Sequence, residues 1–381
     1  MKRRFFTIAV FLTALAVAGS LLVVSGLIPI TASSGHWPIT AWFLHFSLRR
    51  SVATYTLGLE TPRLDEPKLV LKGAGHYETG CRPCHGSPAS PPPRVLQHML
   101  PPPPYLPPRI AAWQSAELFY IVKHGVKFTG MPAWPSQQRD DEVWAMVAFL
   151  RTFPDLDAEG YQRLVNFNGN SNGKTLPSHE RSQPQTVSRM AAQRCGRCHG
   201  VDGRGRGVGA FPQLAAQRPA YFTAALHAYA RGERHSGIME PIAAGLSRED
   251  MQELALHYAS LKKRPPPAPS HQDQETMLVQ RQRIARGKAI ASHGIPSQRV
   301  PSCRDCHGPS IIRQNPNYPV LAGQYVDYLV LQLELFKKKQ RGGSAYAHLM
   351  RPIAAQLTPG QMRDVALYYA SLTAGHERSA R

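Results

Sequence analysis

All six cysteines of this chain fall into three copies of one pattern, Cys-x-x-Cys-His: Cys81, Cys84 and His85; Cys195, Cys198 and His199; Cys303, Cys306 and His307. Three disulfides would use every thiol, but would give no reason for a histidine after each second cysteine. Structural zinc would find two thiolates and one imidazole at each copy, one ligand short of a tetrahedral site. The pattern is instead that of c-type haem attachment. It predicts three covalently bound haem c groups, with His85, His199 and His307 each supplying a nitrogen to iron.

A sixth ligand has to come from elsewhere in each unit. Met131, Met239 and Met350 stand 46, 40 and 43 residues past the respective histidines. A thioether opposite an imidazole raises the reduction potential and closes the iron to other ligands. Met146, Met190, Met251 and Met362 follow helical periodicity and read as core filler. Met131 and Met350 read as loop residues near prolines, which suits the axial role, and Met99 is the rival in the first unit. His36 and His45 belong to no motif and are not taken as ligands.

The attachment sites lie 114 and 108 residues apart, which calls for a search for repeats. Met239-Glu240-Pro241-Ile242-Ala243-Ala244 returns as Met350-Arg351-Pro352-Ile353-Ala354-Ala355, and Leu256-His257-Tyr258-Ala259-Ser260-Leu261 as Leu367-Tyr368-Tyr369-Ala370-Ser371-Leu372. The first unit has a shorter version, Gly130-Met131-Pro132-Ala133-Trp134, followed by Asp140-Asp141-Glu142 opening a helix whose start these acids complement. Ser247 and Thr358 read as helix N-caps. Each unit reads as a helix before the Cys-x-x-Cys-His site, a loop-rich middle, a methionine loop and a closing helix, with domains at 70–155, 186–263 and 281–375 and linkers at 49–69, 156–185 and 264–280. The 156–185 stretch, rich in Asn, Gly and Ser, makes the first domain the more mobile expectation.

At the N-terminus, Met1-Lys2-Arg3-Arg4 precedes Phe5–Ile30, 26 residues with no Asp, Glu, Lys or Arg. As a helix this run spans a bilayer core of about 30 Å, and the basic residues before it place the rest of the chain outside the cytoplasm. A cleaved signal peptide ending near Ala16-Val17-Ala18 competes with this reading. It would leave Leu21–Ile30 as an apolar mature end, so a retained anchor is expected. Residues 36–50, with Trp37, Trp42, Phe43 and Phe46, read as a short interfacial helix, and 1–48 as the membrane segment. The net charge of +20 favours an acidic partner or anionic lipid. No basic stripe interleaved with aromatics points to nucleic acid.

Taken together, these motifs resemble three class I cytochrome c domains in series behind a transmembrane helix. The second and third are similar to the paired domains of two-haem periplasmic cytochromes, on Cys303-Arg304-Asp305-Cys306-His307-Gly308 and Tyr318-Pro319-Val320-Leu321-Ala322-Gly323-Gln324. The resemblance implies an all-α fold with short helices around each haem and carbonyls of Pro212 and Pro319 on the proximal imidazoles. It also puts Arg234 and Arg341 where the family contacts a haem propionate or a partner. The implied role is an electron carrier on the periplasmic face of a bacterial cytoplasmic membrane. Its donor would be a quinol-oxidising complex or dehydrogenase, and its acceptor a terminal oxidase. A subunit bound stably to a membrane dehydrogenase or oxidase is the alternative; a haem peroxidase would need an open iron, which the three methionines argue against.

Overall fold

A computed structural model of the protein describes residues 2–166, 187–207, 209–262, 274–343 and 345–372. Residues 167–185 of the first inter-domain linker, 264–273 of the second and 373–375 of the third domain lie outside them. The described residues form helices, turns and three isolated β-bridges, with no strand.

Helix α1 (Lys2–Val24) buries none of its residues. Helix α2 (Pro38–Tyr55) starts on a proline, whose missing N–H costs nothing in a first turn. It is longer than the interfacial helix read from the sequence and enters the 49–69 linker, because its end packs on the first unit. Val52 is buried there, Tyr55 stacks on Tyr120 at 5.5 Å, and the Arg49 guanidinium lies 4.8 Å from the Trp113 ring centre. Trp37, Trp42, Phe43 and Phe46 at the other end stay exposed.

The first unit comprises α3 (Pro67–His76), α4 (Ser115–His124), α5 (Asp140–Leu150) and α6 (Ala158–Val165). Helix α6 falls inside the span read as linker. Its Tyr161 and Val165, four apart and hence on one face, sink into the first core, and Asp157 caps it by accepting the Gly160 N–H at 2.7 Å. The second unit holds α7 (Pro219–Ala230), α8 (Met239–Ala244) and α9 (Arg248–Ser260); the third holds α10 (Gln274–His293), α11 (Val326–Lys337), α12 (Ala347–Gln356) and α13 (Pro359–Ser371). Ser247 and Thr358 do cap α9 and α13, each in a reciprocal capping box.

In the first and third units the opening and closing helices cross at a glycine. A Cβ on Gly73 would collide with the Ala145 carbonyl of α5, and one on Gly287 with the Asp364 carbonyl of α13. Backbone cannot step aside as a side chain can, so Gly287→Ala is expected to cost about 1–3 kcal/mol, the usual price of overpacking. Chemical denaturation of the holoprotein should show an earlier first transition; an unchanged midpoint would contradict the crossing.

Candidate haem sites

Each Cys-x-x-Cys-His copy folds the same way. Arg82–His85, Gly196–His199 and Arg304–His307 are single helical turns ended by Gly86, Gly200 and Gly308 at φ of 67°, 75° and 71°. Residues three and four apart on such a turn are neighbours, so the two thiols and the imidazole of each copy share one side. The approach to the turn differs. A wide π-type turn leads into Cys81 and Cys195, whereas Cys303 follows a loop pinned by the Ile295–Val300 bridge.

All three imidazoles are oriented by a proline carbonyl. Nδ1–H of His199 donates to Pro212 O at 3.1 Å, that of His307 to Pro319 O at 3.0 Å, and that of His85 to Pro104 O at 2.9 Å. Since a carbonyl only accepts, Nδ1 carries the proton and Nε2 keeps its lone pair for a metal. Burial pulls each imidazole below its ordinary pKa, with the proline carbonyl opposing, so the neutral ligand form is favoured. Pro104 could not be chosen from the sequence, because several prolines surround it.

The crevices of the second and third units run into one cavity of about 520 Å³. It is walled by Cys195, Cys198, His199 and Met239 from one unit and Cys303, Cys306, His307 and Met350 from the other. Met239 opens α8 and packs on the second core; Met350 lies inside α12 against Phe336 and Ala354. The loop expected around Met350 is therefore helix. Pro352 is tolerated there at the loss of one helical hydrogen bond. Met131 does stand in a loop, its N–H donating to Thr129 Oγ1 at 3.1 Å and its carbonyl accepting from Val126 at 3.2 Å. Met99 packs beside Gly130 in the same region.

Arg234 and Arg341 meet where the two crevices join. Both are buried, at 5% and 8% exposure, and both face the cavity. Arg234 donates to Tyr328 Oη at 3.1 Å and Gln332 Oε1 at 3.3 Å, and Arg341 to the same Gln332 Oε1 at 2.7 Å. Among the described residues neither forms an ion pair with a carboxylate. Burial, reinforced by the Arg234 charge, holds the Arg341 guanidinium below its ordinary pKa. Two buried like charges without a counter-ion fit a crevice that takes an anionic group, and the propionates of a haem are such groups.

The units are locked together by polar contacts that sequence reasoning missed. Gln213 N–H donates to Gln324 Oε1 at 2.9 Å while Gln324 Nε2 donates to Gln213 O at 3.0 Å, and Gln217 exchanges a similar pair with Val320. The matching segments Phe211–Gln217 and Tyr318–Gln324 hinted at this, since copies of one surface can pair reciprocally. The first unit docks through α3, where a Cβ on Gly75 would stand 3.0 Å from Cys198 Sγ, and through Arg197 with Glu78 at 3.2 Å. In the structure it is docked on the second unit. Buried Arg139 and Glu142 complete that contact.

The family model for the cytochrome c oxidase cbb3-type subunit III matches residues 68–150. The chain is 34% identical over 182 residues to cytochrome c-552 of Acidithiobacillus ferridurans, covering 47% of this chain and 73% of that protein. It belongs to the cytochrome c family. This cytochrome is also 30% identical over 189 residues to a thiosulfate dehydrogenase electron acceptor of Thiomonas intermedia (strain K12), covering 50% of this chain and 83% of the other. A solved structure of reduced recombinant cytochrome c4 from Pseudomonas stutzeri aligns with it at a TM-score of 0.43 and 25% identity, over 49% of this chain and 97% of that one. The cytochrome carries covalently bound haem c and acts as an electron carrier rather than an enzyme.

Proposed function

We propose that this cytochrome holds three haem c groups and serves as a membrane-tethered periplasmic relay. It would take electrons from a dehydrogenase or quinol-oxidising complex and deliver them towards a terminal oxidase. The haems attach at Cys81/Cys84, Cys195/Cys198 and Cys303/Cys306, with His85 and Met131, His199 and Met239, and His307 and Met350 on the irons. The domain bounds read from the sequence are retained, with α6 added to the first. When bound, each haem supplies a one-electron iron couple. The protein orients the imidazole, keeps water from the crevice and sets the charge around it.

The observation that carries the relay is the joining of the second and third crevices in one cavity. The contact of α3 with the Cys198 side chain extends it to the first unit. Electrons entering the second or third unit thus have a protein-walled route between the two, and the first unit is docked beside Cys198. Helix α1 and the exposed aromatic end of α2 support the tether, because rings with a polar edge suit the lipid interface. The names of the relatives favour a thiosulfate-oxidising donor. The family match at 68–150 favours an oxidase on the side of the first unit.

The test is reconstitution. Reduced cytochrome in liposomes with a purified terminal oxidase should be reoxidised by oxygen. A form lacking residues 1–48, at equal bulk concentration, should react at least tenfold more slowly, since tethering raises effective concentration. No oxygen-dependent reoxidation would count against the reading. The oxidase-subunit match also favours a second reading, a permanent subunit of such a complex. Recovery of a stable hetero-complex in mild detergent would select it.

A further inference from the structure

Glu142 reads in the sequence as one of three acids complementing the start of α5. In the structure it is only 3% exposed and faces the second unit. Its Oε1 accepts from Ser236 Oγ at 2.6 Å and pairs with the Arg139 guanidinium at 3.0 Å; its Oε2 accepts from the Gly237 N–H at 2.7 Å and from Trp134 Nε1 at 3.3 Å. Ser236 Oγ in turn accepts the N–H of Met239 at 3.1 Å. Arg139 also donates to the His235 carbonyl at 2.7 Å, while the His235 N–H donates to the Arg341 carbonyl of the third unit at 2.9 Å. Ile238 packs on the first core, and a Cβ at Gly237 would collide with the Trp134 indole.

The segment His235–Met239 is therefore gripped by the first unit on one side and the third on the other. Met239 opens a helix of only six residues, too short to fix itself. Within its own unit, the Ser236 N–H donates to Glu240 Oε1 at 2.7 Å, a local tie that does not reach the core. Helix α8 packs on its own core through Ala243 and Met239, and the outside contacts fix the Ser236–Met239 backbone from which the Met239 side chain starts.

We propose that Glu142 is a positioning residue for the second haem: by docking, the first unit clamps the Ser236–Met239 segment and keeps the Met239 thioether available to iron. The inference rests on the assignment of Met239 as sixth ligand. It makes the ligation of the central haem depend on a residue 94 positions before Ser236, in another unit.

Charge and position predict opposite signs. Removing the carboxylate takes one negative charge from beside Arg139, which keeps only its pair with Asp141 at 2.7 and 2.9 Å, and by electrostatics alone this raises the reduction potential of a nearby haem. Loosening an iron-bound thioether lowers it and lets other ligands in. The test uses the full-length holoprotein in detergent, with Glu142→Ala, Glu142→Gln, Ser236→Ala and Met239→Ala, each first checked for haem content. Met239→Ala should abolish about a third of the red-region sulfur-to-iron absorbance. Glu142→Ala should accelerate cyanide binding at one haem at least tenfold and lower one potential by about a tenfold shift in its equilibrium, about 59 mV for one electron. Glu142→Gln keeps one accepting oxygen for the Gly237 N–H and presents an NH2 that Ser236 Oγ can accept, so it should restore part of both.

If Glu142→Ala impairs folding, Ser236→Ala leaves the carboxylate in place, removes the hydroxyl that joins it to the Ile238 and Met239 N–H groups, and should move both readouts in the same direction. Unchanged cyanide binding with an unchanged or raised potential, in a background where Met239→Ala does lose its third of the band, overturns the inference alone. Full retention of the band in Met239→Ala overturns the ligand assignment and the inference with it.

Discussion

Replacing both Cys303 and Cys306 with alanine is expected to give a protein with two covalent haems instead of three, and a mass lower by one haem. Each attachment turn is built on its own core: the second on Met190, Leu226 and Tyr258, the third on Ala291, Leu329 and Tyr369. The loss should therefore stay local to the third unit. Losing one thiol of a pair leaves one thioether, so Cys306→Ala alone should keep all three haems, the third by a single bond. Cys306 is exposed while Cys303 is partly buried, which makes Cys306 the thiol whose removal disturbs packing less. Haem quantification by alkaline pyridine spectra together with intact mass decides the matter. Three haems in the double variant would end the assignment of this site, and equivalent pairs at 81/84 and 195/198 test the other two.

The second large effect is expected at the junction of the crevices. Arg234→Leu with Arg341→Leu removes both guanidiniums from the shared cavity. In the haem-loaded protein this leaves buried carboxylates without their counter-charge, a loss of about 3–5 kcal/mol for a buried pair broken on one side. The same positive charges disfavour the oxidised, more positive iron, so their removal should lower the potentials of the second and third haems and leave the first nearly unchanged. Redox titration with denaturation of the same samples reads both effects. Unaltered potentials would mean that the arginines serve packing alone, through their rings Tyr229 and Phe336.

How much of this could be seen beforehand follows from the range of each interaction along the chain. Haem attachment needs two thiols and an imidazole within five consecutive residues, so Cys81–His85, Cys195–His199 and Cys303–His307 are legible in any reading. Capping is equally local, and Ser247 and Thr358 were found for that reason. Pro212 and Pro319 emerged only through the family resemblance, and Pro104 not at all. The proline-rich stretch around it offers several carbonyls, and the packing of the first unit selects one. Met350 was singled out by its repeat, and its setting was read as a loop because proline two residues on usually stops a helix; the structure makes it helix.

What the amino-acid sequence determined by itself is the local form of the three Cys-x-x-Cys-His turns and the helices around them, because those rest on contacts within a few residues. Only the tertiary structure decided how the units are joined. Gln213 meets Gln324, Arg234 meets Gln332, and Glu142 meets Ser236 across about a hundred positions of chain. Such polar residues look solvated in sequence, since nothing local says that a neighbouring surface will bury them. Desolvation then makes each unpaired group costly, so a partner must be present, and the identity of that partner is set by docking in three dimensions.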